Sequence, residues 1–237
     1  MNTIRFNHQI KIIAHRGVSG LERENTCAAF IAAGNRSYFG IETDVHVTKD
    51  GKFIVFHDDT TDRLLGIHHV IEETNYETLR SLRLTDLDGT RRGDLVLPSL
   101  EEYIRVCKKY GKECVLELKN HFEMKHIREI ISIIRSEDWL DHTTFISFDL
   151  ANCICVRQCL PDQRIQYLVQ EVTEEIISQL VQYGFALDAD YRTITREQVA
   201  ACRKEGIAVN VWTVNTVETA EKMLEFGVDY ITTNILE

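Results

Sequence analysis

The chain has 237 residues, 44% of them hydrophobic and 8% aromatic, with 37 acidic against 27 basic side chains and a formal net charge of −10. No apolar run approaches the roughly 18 residues that span a bilayer, and no Lys/Arg cluster supplies the basic stripe that nucleic acid or an acidic lipid surface needs, so neither partner is expected. The composition is that of a soluble globular protein, and any substrate is expected to be a small molecule held in a locally cationic pocket.

The amino end, MNTIRFNHQIKIIAHRG, lacks the roughly 7–15-residue apolar stretch and small-residue cleavage site of a signal peptide, which points to the cytoplasm. Seven cysteines without a CxxC pair suit reduced thiols rather than disulfides or zinc, and Cys153, Cys155 and Cys159 read as packed helix residues. Taken in order, β-rich apolar runs at 11–14, 41–47, 114–118, 144–147, 165–169, 185–188, 208–213 and 230–232 predict eight strands. Helical patterns over 26–34, 100–110, 122–135, 150–159, 173–183, 195–205 and 216–226 lie between them. Gly34, Gly111, Gly184, Gly206 and Gly227 mark helix ends.

Eight strands alternating with helices in one chain of this length predict a single α/β domain over 1–237, a (β/α)₈ TIM barrel. An open doubly wound sheet is the competitor, disfavoured because no GxGxxG follows a strand. Residues 58–98 break the rhythm after the second strand. Such an insertion belongs on the face where loops leave the strands' carboxyl ends, where it would roof a pocket, and its polar TDLDGTRRGD favours water-soluble substrates.

The polar residues at strand ends carry the chemistry. Glu42 and Asp44 share a strand face by the period of two, as do Glu117 and Lys119. Lys-Asp-Gly-Lys predicts a hairpin after residue 48. With Asp50-Gly51 as the central pair it sets Asp44 opposite His57, and with Lys49-Asp50 it sets Glu42 there. Glu42, Asp44 and Glu117 can converge on one point, where they would repel each other without a hard, oxygen-preferring divalent cation, Mg²⁺, Ca²⁺ or Mn²⁺. Beside them stand two histidines suited to proton transfer, His15 and His57, and two cations suited to a phosphate, Arg16 and Lys119. Together these groups describe hydrolysis of a phosphoryl compound. His46 shares the parity of Glu42 and Asp44 but lies further towards the turn, so it reads as a rim contact rather than a ligand. His68 and His69 read as solvated loop residues without an acid partner.

AHRGVSGLERENT, IETDVHVTKDGKFIVFHDDT, VLELK, ISFD, VNVWTVN and GVDYITTN, over about residues 11–234, resemble in order and spacing the glycerophosphodiester phosphodiesterase family. The resemblance implies a barrel that hydrolyses glycerophosphodiesters, such as glycerophosphocholine or glycerophosphoethanolamine, to glycerol 3-phosphate and an alcohol through a cyclic phosphate. It implies His15 and His57 as the acid-base pair, Glu42, Asp44 and Glu117 as metal ligands, Arg16 and Lys119 as phosphate contacts, and Trp212 on the glycerol side of the pocket. Glu24 and Asn25 would support the loop after the first strand, with Thr26 capping the helix.

Two positions depart from the family's pattern. Arg23 stands where Pro usually precedes Glu-Asn-Thr, which should loosen that loop, and Asn234 replaces an acid after the last strand. The rival readings are a phosphodiesterase for lysophospholipid or phosphoinositol head groups, and a non-catalytic barrel that binds glycerophosphodiesters. The joint presence of both histidines and all three acids favours the enzyme.

Overall fold

In the computed structural model, which describes residues 2–7 and 9–237, the elements run β1 (Lys11–Ala14), α1 (Cys27–Gly34), β2 (Gly40–Val47), β3 (Phe53–Val55), α2 (Asp62–Leu65), α3 (Tyr76–Ser81), α4 (Leu100–Tyr110), β4 (Glu113–Leu118) and α5 (Met124–Ser136). They continue as β5 (Thr143–Ser147), α6 (Leu150–Cys159), β6 (Arg164–Val169), α7 (Glu174–Tyr183), β7 (Ala186–Asp190), α8 (Arg196–Lys204), β8 (Val209–Trp212), α9 (Val217–Phe226) and β9 (Tyr230–Thr233). Eight strands pair in parallel in the order β1-β9-β8-β7-β6-β5-β4-β2, and β1 pairs with β2 to close the barrel. The short β3 adds to β2 antiparallel.

The helices form where the sequence offers a cap and an apolar stripe. In α4, Leu100, Tyr103, Ile104 and Cys107 are buried on one face, Ser99 and Glu102 form a capping box, and Gly111 closes the helix in the left-handed region. Ile127, Ile130, Ile131 and Ile134 give α5 its buried stripe, together worth roughly 6–12 kcal/mol of transfer free energy as an upper bound. Gly34 differs from the expectation that it ends a helix left-handed. It is the last residue of α1, and a Cβ there would lie 2.5 Å from the Tyr110 ring, so its place is set by close packing on α4.

Inside the barrel Ile13, Val115, Ile146 and Leu168 form an apolar plug, and Asn210 bridges Gln166 and Thr232. A separate small core of Ile54, Phe56, Leu64, Ile71, Leu79, Leu84, Leu95 and Leu97 sits under the segment 58–98, packed on β3. Among the described residues no helix is long and apolar enough to cross a membrane.

Candidate active site

At the end of β1 the chain turns sharply: Arg16 has φ +54 and Gly17 φ +75, both left-handed. A Cβ on Gly17 would lie 2.6 Å from the backbone carbon of Ala29, so only glycine lets α1 approach this turn. The turn aims the Arg16 N–H at Glu42 Oε2, 2.7 Å away. Glu42 and Asp44 point to the same side of β2, and the β2–β4 register sets Asp44 beside Glu117. All three carboxylates are buried, and each offers an oxygen within 4.8 Å of the others.

Burial acts on all three, but their neighbours divide them. Asp44 has Arg16 Nε and Lys119 Nζ each at 3.6 Å and accepts 2.7 Å from Asn25 Nδ2, so these contacts outweigh burial and hold it below the usual carboxylate range. For Glu42, burial and then the charges of Asp44 and Glu117 push the carboxyl well up. Burial and Asp44 raise Glu117 to about 7, although Lys119 Nζ lies 2.8 Å from it. Asp44 Oδ1 is buried without a hydrogen-bond partner. An all-carboxylate donor set with an orphaned oxygen fits a hard divalent cation, which would relieve the mutual repulsion of the three acids.

The histidines have unlike partners. His15 Nδ1 lies 2.7 Å from Asn234 Oδ1, which also accepts from Ser19 Oγ at 3.0 Å. An amide oxygen only accepts, so His15 carries its proton on Nδ1 and presents Nε2 unprotonated. Burial, followed by Arg16, lowers this imidazole to about 4. Asn234, standing where the family's pattern has an acid, therefore still contacts His15, as a neutral group. His57 Nδ1 instead meets the Asp58 carboxylate at 2.6 Å; burial lowers its pKa, while Asp44 and Asp58 pull the other way.

A continuous ion-pair chain links the two histidine loops. Arg16 Nη1 donates to Glu24 (2.8 Å), Arg63 of α2 donates to both Glu24 oxygens (2.7 and 2.9 Å) and to Asp58 (2.6 and 3.0 Å), and Asp58 holds His57. These contacts overcome burial and bring Glu24 down to about 2. Asn25 sits between Asp44 and the Thr43 hydroxyl, and Thr26 caps α1 by accepting from Ala29 N–H.

Several expectations are corrected. The hairpin has neither proposed register: Val47 pairs with Phe53, Thr48 N–H bonds the Lys52 carbonyl, and the loop has three residues with Gly51 left-handed. His57 still reaches the acids, because the chain leaves β3 through a bond from Phe56 N–H to the Asp44 carbonyl. His46 is fully buried rather than at the rim, between Glu72 Oε1 (3.2 Å) and the His57 carbonyl (3.4 Å). His68 does have an acid partner, Asp62, at 2.7 Å on the surface. Arg23 tethers its loop by donating to the carbonyls of Thr85 and Asp86, which offsets the missing proline. No residue of 58–98 lines the cavity, while Asp58 and Arg63 of this segment contact His57 and Glu24 beside it.

The cavity above this cluster, about 110 Å³, is lined by His15, Arg16, Glu42, His57 and Glu117 on one side and by Ile146, Phe148, Leu168, Asp188 and Trp212 on the other. Phe148 meets Trp212 edge-on at 5.6 Å, and the indole N–H lies 3.4 Å from the Asp188 carbonyl. A larger hollow of about 610 Å³ opens at the strands' opposite ends, beside Arg157, Arg164 and Tyr183, and holds none of the acid cluster. Asp58, Arg63, Phe148 and Asp188 were not singled out from the sequence. Asp58 directly follows His57, and Asp188 with Asp190 repeats on β7 the alternation of Glu42 and Asp44.

Comparison with known proteins matches residues 15–237 to the glycerophosphoryl diester phosphodiesterase family. The chain is 30% identical over 226 residues to a glycerophosphodiester phosphodiesterase of Caldanaerobacter subterraneus subsp. tengcongensis, covering 94% of this chain and 93% of that one. Among solved structures, an Oleispira antarctica phosphodiesterase in complex with the product sn-glycerol-3-phosphate is similar with a TM-score of 0.81 at 25% identity, covering 94% of this chain and 92% of the other. A glycerophosphodiester phosphodiesterase from Thermotoga maritima is similar with a TM-score of 0.78 at 25% identity, covering 97% and 96%.

Proposed function

The chain belongs to the glycerophosphoryl diester phosphodiesterase family and is a phosphoric diester hydrolase, and from that premise we propose that it cleaves water-soluble glycerophosphodiesters to glycerol 3-phosphate and an alcohol by His15/His57 acid-base catalysis. The observation that carries this reading is the unlike partnering of the two histidines on either side of one carboxylate cluster. His15, neutral and with Nε2 free, is the base that takes the proton of the glycerol 2-hydroxyl as its oxygen attacks phosphorus. His57, whose imidazolium is supported by Asp58, protonates the departing alcohol oxygen. Water then opens the cyclic phosphate with the roles exchanged: His57 takes its proton and His15 returns one to the 2-oxygen.

Arg16 and Lys119, both anchored on Asp44, hold the phosphate oxygens, and Trp212 covers the carbon skeleton of glycerol. Glu42, Asp44 and Glu117 would hold a divalent cation, Mg²⁺, Ca²⁺ or Mn²⁺, which when bound supplies charge neutralisation at the phosphoryl oxygens. The Oleispira relative's complex with sn-glycerol-3-phosphate supports the same product here.

The test is release of glycerol 3-phosphate from glycerophosphocholine and glycerophosphoethanolamine with Mg²⁺, Ca²⁺ or EDTA, for wild type and His57→Ala. Metal-dependent turnover that falls about 10²-fold or more in the variant is expected. A loss below about tenfold, or turnover indifferent to EDTA, would refute the assigned roles.

A further inference from the structure

One buried acid in the cavity has no place in the mechanism above. Asp188 is 2% exposed, lines the cavity beside Trp212, and has Oδ1 buried with no hydrogen-bond partner. Its neighbour two residues on, Asp190, is held from Nε and an Nη by Arg192 and so is neutralised. No Arg or Lys is among the groups that act on Asp188; burial, the Asn210 amide and the charge of Glu117 are. A buried polar atom left without a partner typically costs about 1–3 kcal/mol. Such a group persists on the wall of a cavity when a ligand completes its hydrogen bonds.

The surroundings define that ligand. Trp212, Phe148, Ile146 and Leu168 make this half of the cavity apolar, and its polar exceptions are Asp188 with Thr213 and Thr232. Arg16 and the acid cluster take the phosphate end on the opposite side. An occupant of the Asp188 side therefore has a short carbon skeleton to lie on the rings and a hydroxyl to reach the carboxyl group. The 2-hydroxyl is engaged at His15, which leaves the terminal hydroxyl of the glycerol unit.

We infer that Asp188 is a specificity-determining residue that hydrogen-bonds the terminal hydroxyl of the substrate's glycerol moiety, so that the pocket selects a vicinal diol over a chain bearing the 2-hydroxyl alone. This rests on the function proposed above, because that function assigns the glycerol to this side of the cavity.

The experiment compares glycerophosphocholine with the phosphocholine diester of propane-1,2-diol that lacks only the terminal hydroxyl, using wild type, Asp188→Asn and Asp188→Leu. Both substitutions remove a buried carboxyl with one orphaned oxygen, and a thermal melt checks that the fold is kept. Wild type should prefer glycerophosphocholine in kcat/KM by roughly 10- to 100-fold. In Asp188→Leu that preference should collapse to about twofold or less, with glycerophosphocholine reduced to the level of the analogue. Retention of the wild-type preference by Asp188→Leu overturns the assignment. So does a loss that follows the head group, seen when choline is exchanged for a neutral alcohol.

Should wild type cleave neither diester, the proposed function fails and Asp188 is judged separately by calorimetric binding of glycerol 3-phosphate against the phosphate of propane-1,2-diol. At least tenfold tighter binding of glycerol 3-phosphate by wild type, abolished in Asp188→Leu, supports the inference, and equal binding overturns it.

Discussion

Binding of a divalent cation at Glu42, Asp44 and Glu117 should expel protons, and the electrostatics say how many. In protein stripped of metal, Arg16 and Lys119 keep Asp44 ionised despite its burial. Burial and Asp44 push Glu42 well above, and Glu117 to about 7. At pH 6 Glu117 therefore holds a proton that an oxygen-bound cation must displace, and the upward push on Glu42 acts in the same direction. By linkage each proton released makes the apparent affinity rise about tenfold per pH unit, so two released together give roughly a hundredfold. The sign for stability follows from the same shift. The folded chain binds the Glu117 proton more tightly than the unfolded chain does, so metal-free stability falls as pH rises from 4.5 to about 7. Cation binding offsets that fall, and its stabilisation grows with pH over the same window. Isothermal titration with Mg²⁺ or Ca²⁺ in buffers of different ionisation enthalpy counts the protons directly. Between about one and two per ion are expected at pH 6 and fewer at pH 8, with Glu117→Gln lowering the count at pH 6 by about one. Cation binding at pH 6 without proton release would refute the electrostatic reading.

Gly17→Ala should destabilise by roughly 2–5 kcal/mol in urea unfolding, combining the left-handed backbone penalty with the clash against Ala29, whereas Gly51→Ala, at φ +76 with nothing within 4 Å, should lose only about 1 kcal/mol. Equal losses at the two sites would remove the steric part of that account. Asn234→Asp places a carboxylate 2.7 Å from His15 Nδ1 and should lift its pKa from about 4 by about 1–3 units. The acidic limb of the kcat/KM profile should move to higher pH by the same amount, and an unmoved limb would mean that His15 is not the base. Arg63→Ala cuts the link between Glu24 and Asp58 and should lower kcat more than tenfold, since acid-base catalysis contributes about 10²–10⁴, while half-exposed Arg63 adds only about 1 kcal/mol or less to stability. A melt that collapses together with activity would make Arg63 merely structural.

The barrel was legible because its strands are buried on both faces and so read as short apolar runs, while capping threonines and terminal glycines punctuate the helices between them. Thr26, Ser99, Thr173, Thr195 and Thr216 all serve as N-caps, each beside a predicted helix start. Glu42 with Asp44 was readable from strand parity, whereas their meeting with Glu117 depends on the β2–β4 register, which no local rule supplies. The hairpin shows the limit most plainly. A loop of three residues, with Gly51 taking the left-handed position, shifts the pairing by one relative to either two-residue turn. Asp188 and Asp190 look alike in the sequence and both are buried, but Arg192, two residues on, satisfies Asp190, while Asp188 lines the cavity with one oxygen orphaned.

The difference between the two histidines follows from such long-range facts. His15 takes a neutral partner from 219 residues further along the chain. His57 takes a charged one from the next residue, which is itself held by Arg63, whose other partner, Glu24, lies 39 residues back. Burial and then Arg16 lower the His15 imidazole to about 4, whereas at His57 the Asp44 and Asp58 carboxylates oppose the lowering by burial. The inserted segment thereby bears on His57 without lining the cavity: Asp58, held by Arg63, meets its imidazole, and Leu64 next to Arg63 belongs to the small apolar core.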